Sequence, residues 1–218
     1  MASPVSNQTE AACRPCEHRG AVVIIDDFLA DPHAARAFAL REEYSDAGAF
    51  PGMRAAPRKH GARLARAFEA HVGKPILDLV SMFQYQTAAY ESRSYVHHDM
   101  CDWAAVLYLV EGHDGEPGTS FHRHREAGLT RGSLQAGAPA PHHDDGGDPA
   151  KWEVTLTVPV RFNRLVLYDA LMFHRNASAW GSDVHDARLV QAFFACTSLA
   201  DGPYERLMKR VANQESTT

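Results

Sequence analysis

Residues 97–110 read HHDMCDWAAVLYLV, so a group of polar side chains directly precedes an apolar run. In an extended segment, residues two apart point to the same side of the strand. His97 and Asp99 can therefore reach one ion together, while His98 points the other way. Residues 104–110 have the apolar composition of a buried strand. The stretch predicts a strand that begins beside one half of a metal site.

A third ligand is predicted at the end of another strand. His174 lies shortly after the apolar run at residues 165–168, and barrels and jelly rolls bring such distant strand ends together. Two imidazoles and one carboxylate occupy one face of an octahedral Fe(II) ion and leave its other positions open. The sequence therefore predicts a metal centre formed by His97, Asp99 and His174.

Other polar residues compete for these roles. His98 with Asp102 is one alternative, but that spacing needs a helix and the residues between them favour none. His185 is an alternative to His174, although residues 182–186 have the composition of a polar loop. Taken singly, each candidate fits an ordinary core, rim or turn position better than a metal ligand. The order of the residues, each beside a strand-like run, favours the metal site.

Arg188 opens an otherwise apolar run and raises the question of its partner. A charged side chain that enters a buried strand requires a counter-charge or hydrogen bonds. One interpretation pairs it with Asp169 or Asp186. The other pairs its guanidinium with a carboxylate of a bound organic molecule, as a bidentate contact. Tyr108 either adds a hydroxyl donor to that contact or is a core tyrosine with its hydroxyl at the rim.

Helical patterns come first in the chain and short strands follow. A strand at residues 21–26 precedes helices at 32–44 and 62–71, the first with Asp31 as its N-cap and proline at its start. Five further strands are predicted at residues 82–87, 104–110, 153–160, 165–168 and 189–196. This order predicts an α+β, mainly β fold, which is a β-sandwich or jelly roll with the N-terminal helices packed on one sheet.

The chain is predicted to form one domain between two tails. Residues 1–20 are predicted as a flexible tail, 21–200 as the domain, and 201–218 as a short helix followed by a polar end. Within the domain, residues 122–151 are predicted as an inserted loop that acts as a lid or is solvated. Cys13 and Cys16 lie in the N-terminal tail, where half a zinc knuckle is the weaker interpretation.

Composition narrows the class of protein. With 218 residues, 45% of them hydrophobic, the chain is long enough for one sizeable core. A net charge of −5 gives no basic field for nucleic acid. No membrane-spanning apolar stretch and no secretory signal pattern are seen, so a cytoplasmic protein is expected. Abundant Ala and Arg are typical of a GC-rich bacterial genome.

Taken together, these residues resemble the 2-oxoglutarate/Fe(II)-dependent oxygenases. Within them, the sequence is most similar to the prolyl-4-hydroxylase-like branch and to an uncharacterised bacterial family of about this length. The resemblance covers roughly residues 21–199 and keeps the order of the motifs. The matching segments are residues 23–28, 50–54, 97–99, 103–109, 118–121, 163–168, 173–174 and 188–194.

The resemblance implies a fold, cofactors and an activity. The family fold is a double-stranded β-helix, a jelly roll with N-terminal helices. By the family pattern, His97, Asp99 and His174 bind Fe(II), while Arg188 holds the distal carboxylate of 2-oxoglutarate with help from Tyr108. Dioxygen is the co-substrate. The implied reaction is hydroxylation or desaturation of a small molecule, amino acid or peptide, since related halogenases have a small residue where Asp99 stands here.

Some features depart from the family pattern. Pro117-Gly118 replaces the usual Gly-Gly, and Val110 follows Tyr108-Leu109 where asparagine is usual. Neither change removes a ligand. Two alternatives stay open, a jelly-roll dioxygenase that does not use 2-oxoglutarate and a non-catalytic binding module on the same fold. The sequence fixes neither the substrate nor the oligomeric state.

Overall fold

Two antiparallel sheets form the fold in this computed structural model, which describes residues 16–19, 21–46, 51–134 and 140–197. Within these residues the larger sheet has nine strands, in the order β1-β2-β10-β7-β12-β6-β4-β3, with β5 also paired to β6. Its strands are β1 (Cys16–Arg19), β2 (Val22–Ile25), β3 (Ser45–Asp46), β4 (Met53–Arg54), β5 (Arg58–Lys59), β6 (Asp78–Gln86), β7 (Trp103–Tyr108), β10 (Leu165–Asp169) and β12 (Arg188–Cys196).

The smaller sheet faces the larger one and has the order β11-β8-β9. Its strands are β8 (Pro117–His124), β9 (Trp152–Pro159) and β11 (His174–Asn176). From β7 onward the chain passes repeatedly between the two sheets, with β7, β10 and β12 in the larger and β8, β9 and β11 in the smaller. This winding is that of a double-stranded β-helix, which confirms the predicted jelly-roll fold.

Two helices cover the outer face of the larger sheet. Helix α1 (Pro32–Ala39) begins at Asp31, whose carboxylate accepts the Ala34 N–H at 2.9 Å. Helix α2 (Ala62–Val72) ends at Gly73, which adopts a left-handed conformation with φ of 71°. The predicted helix packing on one sheet is therefore confirmed.

The first helix is shorter than predicted, since it ends at Ala39 and not at residue 44. The hydroxyl of Tyr44 donates to the Ala39 carbonyl at 2.9 Å and so folds the chain back on the helix end. The Tyr44 ring also packs edge-on against Tyr85, at 4.9 Å between ring centroids. These tertiary contacts override the helical pattern of the sequence.

The side chains of the larger sheet alternate between two apolar clusters. Leu107, Leu189 and Phe193 are buried against the helices, whereas Val106 and Val190 are buried toward the smaller sheet. Burying one such side chain contributes about 1.5 to 3 kcal/mol. The inner cluster leaves a space between the two sheets, and the predicted site residues lie there.

Several predicted boundaries differ from the structure. Residues 16–19, placed in the predicted tail, form β1 on the edge beside β2. Strands β8 and β11 were not predicted. The predicted loop at residues 122–151 begins inside β8 and contains a helix, α3 (Pro141–Asp145), and a turn of 3₁₀ helix at Pro149–Lys151. The five strands predicted after residue 81 are confirmed, with ends shifted by at most four residues.

Some predictions lie outside the described residues. These are the short helix within residues 201–218 and the role of Cys13. In the described part of the chain, no helix has the length and apolar character needed to span a bilayer.

Asn163, just before β10, forms hydrogen bonds with the segment that leads into α1. It has a left-handed backbone, with φ of 63°, which asparagine tolerates better than most residues. Its side-chain oxygen accepts the Leu29 N–H at 2.8 Å, and its amide donates to the Leu29 carbonyl at 2.9 Å. Both Leu29 groups are thus satisfied by one buried side chain.

The substitution Asn163→Ala is expected to lower the free energy of unfolding by about 2 to 3 kcal/mol. Two buried backbone groups lose their hydrogen-bond partner, and the left-handed backbone conformation is unfavourable for alanine. Urea denaturation measures the loss. Asn163→Gly is the matched control, since it keeps the backbone conformation accessible and should cost less. An alanine variant as stable as the wild type would contradict this role.

Candidate metal centre

A reciprocal pair of backbone hydrogen bonds joins two chain segments at the centre of the site. The His97 N–H donates to the His174 carbonyl at 3.0 Å, and the His174 N–H donates to the His97 carbonyl at 2.8 Å. Residues that face each other in such an antiparallel bridge project their side chains to the same side. The two imidazole rings accordingly lie 4.5 Å apart between centroids.

Asp99 completes the group from the same segment as His97. Its N–H donates to the Ala170 carbonyl at 2.8 Å, which fixes the segment beside the end of β10. Its two carboxylate oxygens lie 3.9 Å from His97 Nε2 and 3.4 Å from His174 Nε2. One ligand atom from each of the three residues lies within 4.8 Å of the others, so the three can hold a single ion.

Backbone carbonyls orient both imidazoles. His97 Nδ1 lies 3.1 Å from the Tyr95 carbonyl, and His174 Nδ1 lies 2.9 Å from the Met172 carbonyl. A carbonyl can only accept, so the proton of each neutral ring is on Nδ1. The Nε2 lone pairs then point toward Asp99 and are available to a metal, as in many histidine-ligated sites.

The protonation states also suit a metal. Burial, with a smaller contribution from His174, lowers the pKa of His97 to about 4. For Asp99, burial raises the pKa, but His174, His97 and Arg54 together outweigh it, and the net pKa lies below its ordinary value. At neutral pH the site therefore offers a neutral imidazole and an ionised carboxylate, the forms that bind metals.

Arg188 lies in β12, between the two sheets, and its side chain is fully buried. Its Nη2 donates to the Gly118 carbonyl at 3.3 Å. Its Nε and Nη1 have no hydrogen-bond partner in the structure, and the guanidinium carbon lies 5.4 Å from the Tyr108 ring centroid. Burial lowers the pKa of Arg188 from its ordinary value. A buried cation with two unsatisfied donors is costly unless an anion binds it.

The carboxylates considered as partners of Arg188 are occupied elsewhere. Asp169 pairs with Arg131 at 3.0 Å. Asp186 accepts the backbone N–H groups of Ser182 and Asp183, at 2.7 and 2.9 Å. The interpretation of Arg188 as one half of an internal ion pair with either residue is therefore wrong.

Tyr108 lies fully buried in β7, next to Arg188. Its hydroxyl is 2.8 Å from the Thr119 hydroxyl. A Cβ at Gly118 would collide with the Tyr108 hydroxyl and with the Val158 carbonyl. Only glycine fits at position 118.

A pocket between the sheets is lined by His97, Asp99 and His174. Sequence reasoning missed three of its polar lining residues, Gln84, Thr119 and Asn176. A glutamine in a mostly apolar strand was an available signal for Gln84. Thr119 was missed because it lies in a stretch that was not predicted to be a strand.

The competing residues have other contacts. The His98 ring lies where a side chain at position 132 would be, against Gly132, and its Nδ1 contacts the Asp99 carbonyl at 2.9 Å. The Asp102 carboxylate accepts from the Thr197 N–H and hydroxyl, at 2.7 and 2.8 Å. His185 lies in an exposed loop. None of these three residues belongs to the group that could hold a metal.

Solved structures with this fold are known. An oxidoreductase of the 2OG-Fe(II) oxygenase family from Burkholderia pseudomallei is 11% identical, with a TM-score of 0.50 over 84% of this chain and 93% of that protein. AviO1 from Streptomyces viridochromogenes Tue57 is 12% identical, with a TM-score of 0.51 over 84% and 92%. The non-heme alpha ketoglutarate dependent carbocyclase SnoK from nogalamycin biosynthesis is 16% identical, with a TM-score of 0.51 over 85% and 86%.

At these identities the likeness shows the fold, which this chain shares with 2-oxoglutarate-dependent non-haem enzymes. No curated protein matches the sequence. A sequence-family model matches residues 7–90 and 92–195, which is more than half of the chain. The chain therefore belongs to DUF6445, a family of unknown function.

Proposed function

We propose that this protein is a non-haem Fe(II)- and 2-oxoglutarate-dependent oxygenase. In this proposal it hydroxylates or desaturates a C–H bond of a small molecule or an amino-acid-derived substrate in the bacterial cytoplasm. One observation carries the proposal: three metal-ligating side chains converge in the same inter-sheet space that contains a buried, unsatisfied guanidinium.

The donor set fits iron. Two imidazole nitrogens and one carboxylate oxygen are the ligands of the facial triad that binds Fe(II) in non-haem oxygenases. In this proposal His97, Asp99 and His174 hold the ion, and the Tyr95 and Met172 carbonyls keep both rings in the required orientation.

The Arg188 guanidinium fits the far carboxylate of 2-oxoglutarate. A carboxylate can meet the planar fork of Nε with Nη2, or that of Nη1 with Nη2, and so supply a partner that Nε or Nη1 lacks. The Tyr108 hydroxyl can turn from Thr119 toward the same anion. A jelly-roll dioxygenase without an organic co-substrate would leave this buried charge uncompensated, which favours the 2-oxoglutarate-dependent reaction.

The residues of the chain have distinct tasks in this reaction. When bound, iron and 2-oxoglutarate supply the oxidation of a substrate C–H bond by O₂, with release of succinate and CO₂. Asp99 occupies the position that related halogenases leave to a halide, so an oxygen-based outcome is proposed. Val106, Ala192 and Phe194 line the pocket with apolar surface and exclude water from the reacting groups.

The substitution His174→Ala is expected to abolish stoichiometric binding of Fe(II) and formation of succinate from 2-oxoglutarate, because it removes one of three ligands. Anaerobic titration calorimetry measures binding, and circular dichroism checks the fold. His185→Ala is the control, because this histidine lies in an exposed loop. Metal binding that survives in the His174→Ala variant would contradict the assignment.

The substitution Arg188→Met is expected to weaken 2-oxoglutarate binding at least about 100-fold, which corresponds to loss of a buried ion pair of about 3 kcal/mol. Without 2-oxoglutarate, the variant should be as stable as the wild type or more stable, because it replaces an unsatisfied buried charge with an apolar side chain. Calorimetric titration of the Zn(II)-loaded protein and urea denaturation give the two readouts.

Arg131→Met provides the matched control for this substitution. Arg131 is an arginine near the site whose side chain is 55% exposed and paired with Asp169. The control should leave the affinity for 2-oxoglutarate unchanged. An unchanged affinity in Arg188→Met itself would exclude Arg188 as the carboxylate anchor.

The substitution Tyr108→Phe is expected to weaken 2-oxoglutarate binding about 5-fold, since it removes one hydrogen bond worth about 1 kcal/mol and keeps the ring. The same titration measures it. Wild-type affinity in this variant would show that the hydroxyl stays on Thr119 when 2-oxoglutarate binds.

A further inference from the structure

A second cavity lies on the outer face of the smaller sheet, away from the metal group. It has a volume of about 340 Å³. Neighbouring residues of a strand point to opposite faces, so His174 in β11 faces the metal group while Arg175 lines this cavity. Val96, which precedes His97, also lines it. The segments that carry two of the metal ligands therefore form the wall between the two sites.

Polar side chains are aligned across one part of this cavity. Arg175, Ser120 and Thr157 are direct neighbours on three adjacent strands and all line it. His122 is 6% exposed, and its Nε2 lies 2.8 Å from the Ser120 hydroxyl. The Nδ1 of His122 has no hydrogen-bond partner in the structure. A buried, incompletely satisfied polar group in a cavity indicates that a ligand or water contacts it.

The cavity is cationic. Its described lining contains no aspartate or glutamate. Arg175 donates its Nε to the Asn176 carbonyl at 3.2 Å, and no carboxylate pairs with it among the described residues. Burial, followed by the charge of Arg175, lowers the pKa of His122 to about 4. At neutral pH the guanidinium of Arg175 is thus the only charged group among the described lining residues. Hydroxyl groups lie beside it and can donate to an oxyanion.

The other part of the cavity is apolar. Trp152 is 4% exposed and contributes one wall, together with Val96 and Pro149. Val154 also lines the cavity and is 57% exposed, so it presents apolar surface to solvent. A ligand seated here would cover this apolar surface while its charged end meets the polar side.

We infer that this cavity is a binding site for a small oxyanion, a carboxylate or a phosphate, that carries an apolar body. The oxyanion contacts Arg175 and the one proton that the Ser120–His122 pair leaves free, on the Ser120 hydroxyl or on His122 Nδ1, and the apolar body packs on Trp152 and Val154. The site is separate from the metal group and does not depend on the proposed oxygenase activity.

Titration calorimetry of the full-length protein with benzoate and with phenyl phosphate tests this inference, and benzamide serves as the uncharged control. At least one of the two anions should bind saturably, with a dissociation constant below about 1 mM, and benzamide should not. The anion that binds more tightly identifies the headgroup. Arg175→Gln should raise its dissociation constant at least about 10-fold.

Arg123→Gln is the matched control, because Arg123 lies in the neighbouring strand β8, pairs with Glu153 and does not line the cavity. It should leave the affinity unchanged. Ser120→Ala provides a second, conservative change within the site and should weaken binding several-fold. Three results would overturn the inference: no saturable binding of either anion, equal loss in Arg175→Gln and Arg123→Gln, or loss in Arg188→Met but not in Arg175→Gln, which would place the anion between the sheets.

Discussion

The reciprocal backbone hydrogen bonds between His97 and His174 are the constraint on which the site depends. They join a segment that precedes β7 to the first residue of β11, and so connect the two sheets at one point. Both rings then share one side of the bridge, and the i, i+2 spacing brings Asp99 to the same place. Together with the Asp99 N–H bond to the Ala170 carbonyl, this bridge fixes the relative position of the three side chains.

The second feature of the site is the buried guanidinium of Arg188. A fold optimised only for stability would place an apolar residue at a position with 0% exposure inside an apolar strand. The chain instead retains a cation whose Nε and Nη1 lack partners, beside a tyrosine hydroxyl and a glycine that makes room for it. Such a locally unfavourable arrangement is expected where a ligand provides the missing interactions.

Local patterns in the sequence predicted part of this structure, and contacts distant in sequence determined the rest. The spacing of His97 and Asp99 and the apolar run after them were sufficient to predict a strand with two candidate ligands just before it. Strand β8 was not predicted, since its outward-facing residues are polar and resemble those of a loop. Its burial comes from β9, which begins at Trp152. The partner of Arg188 also stayed open, because Asp169 is engaged by Arg131, which is distant in sequence, and Asp186 by backbone N–H groups of its own loop.

A crystal structure of the protein with Mn(II) and 2-oxoglutarate, grown without oxygen, tests the central claim most directly. We expect one ion bonded to His97 Nε2, His174 Nε2 and the Asp99 carboxylate, with the far carboxylate of 2-oxoglutarate on the Arg188 guanidinium. An ion bound elsewhere, or a co-substrate whose far carboxylate lies away from Arg188, would contradict it.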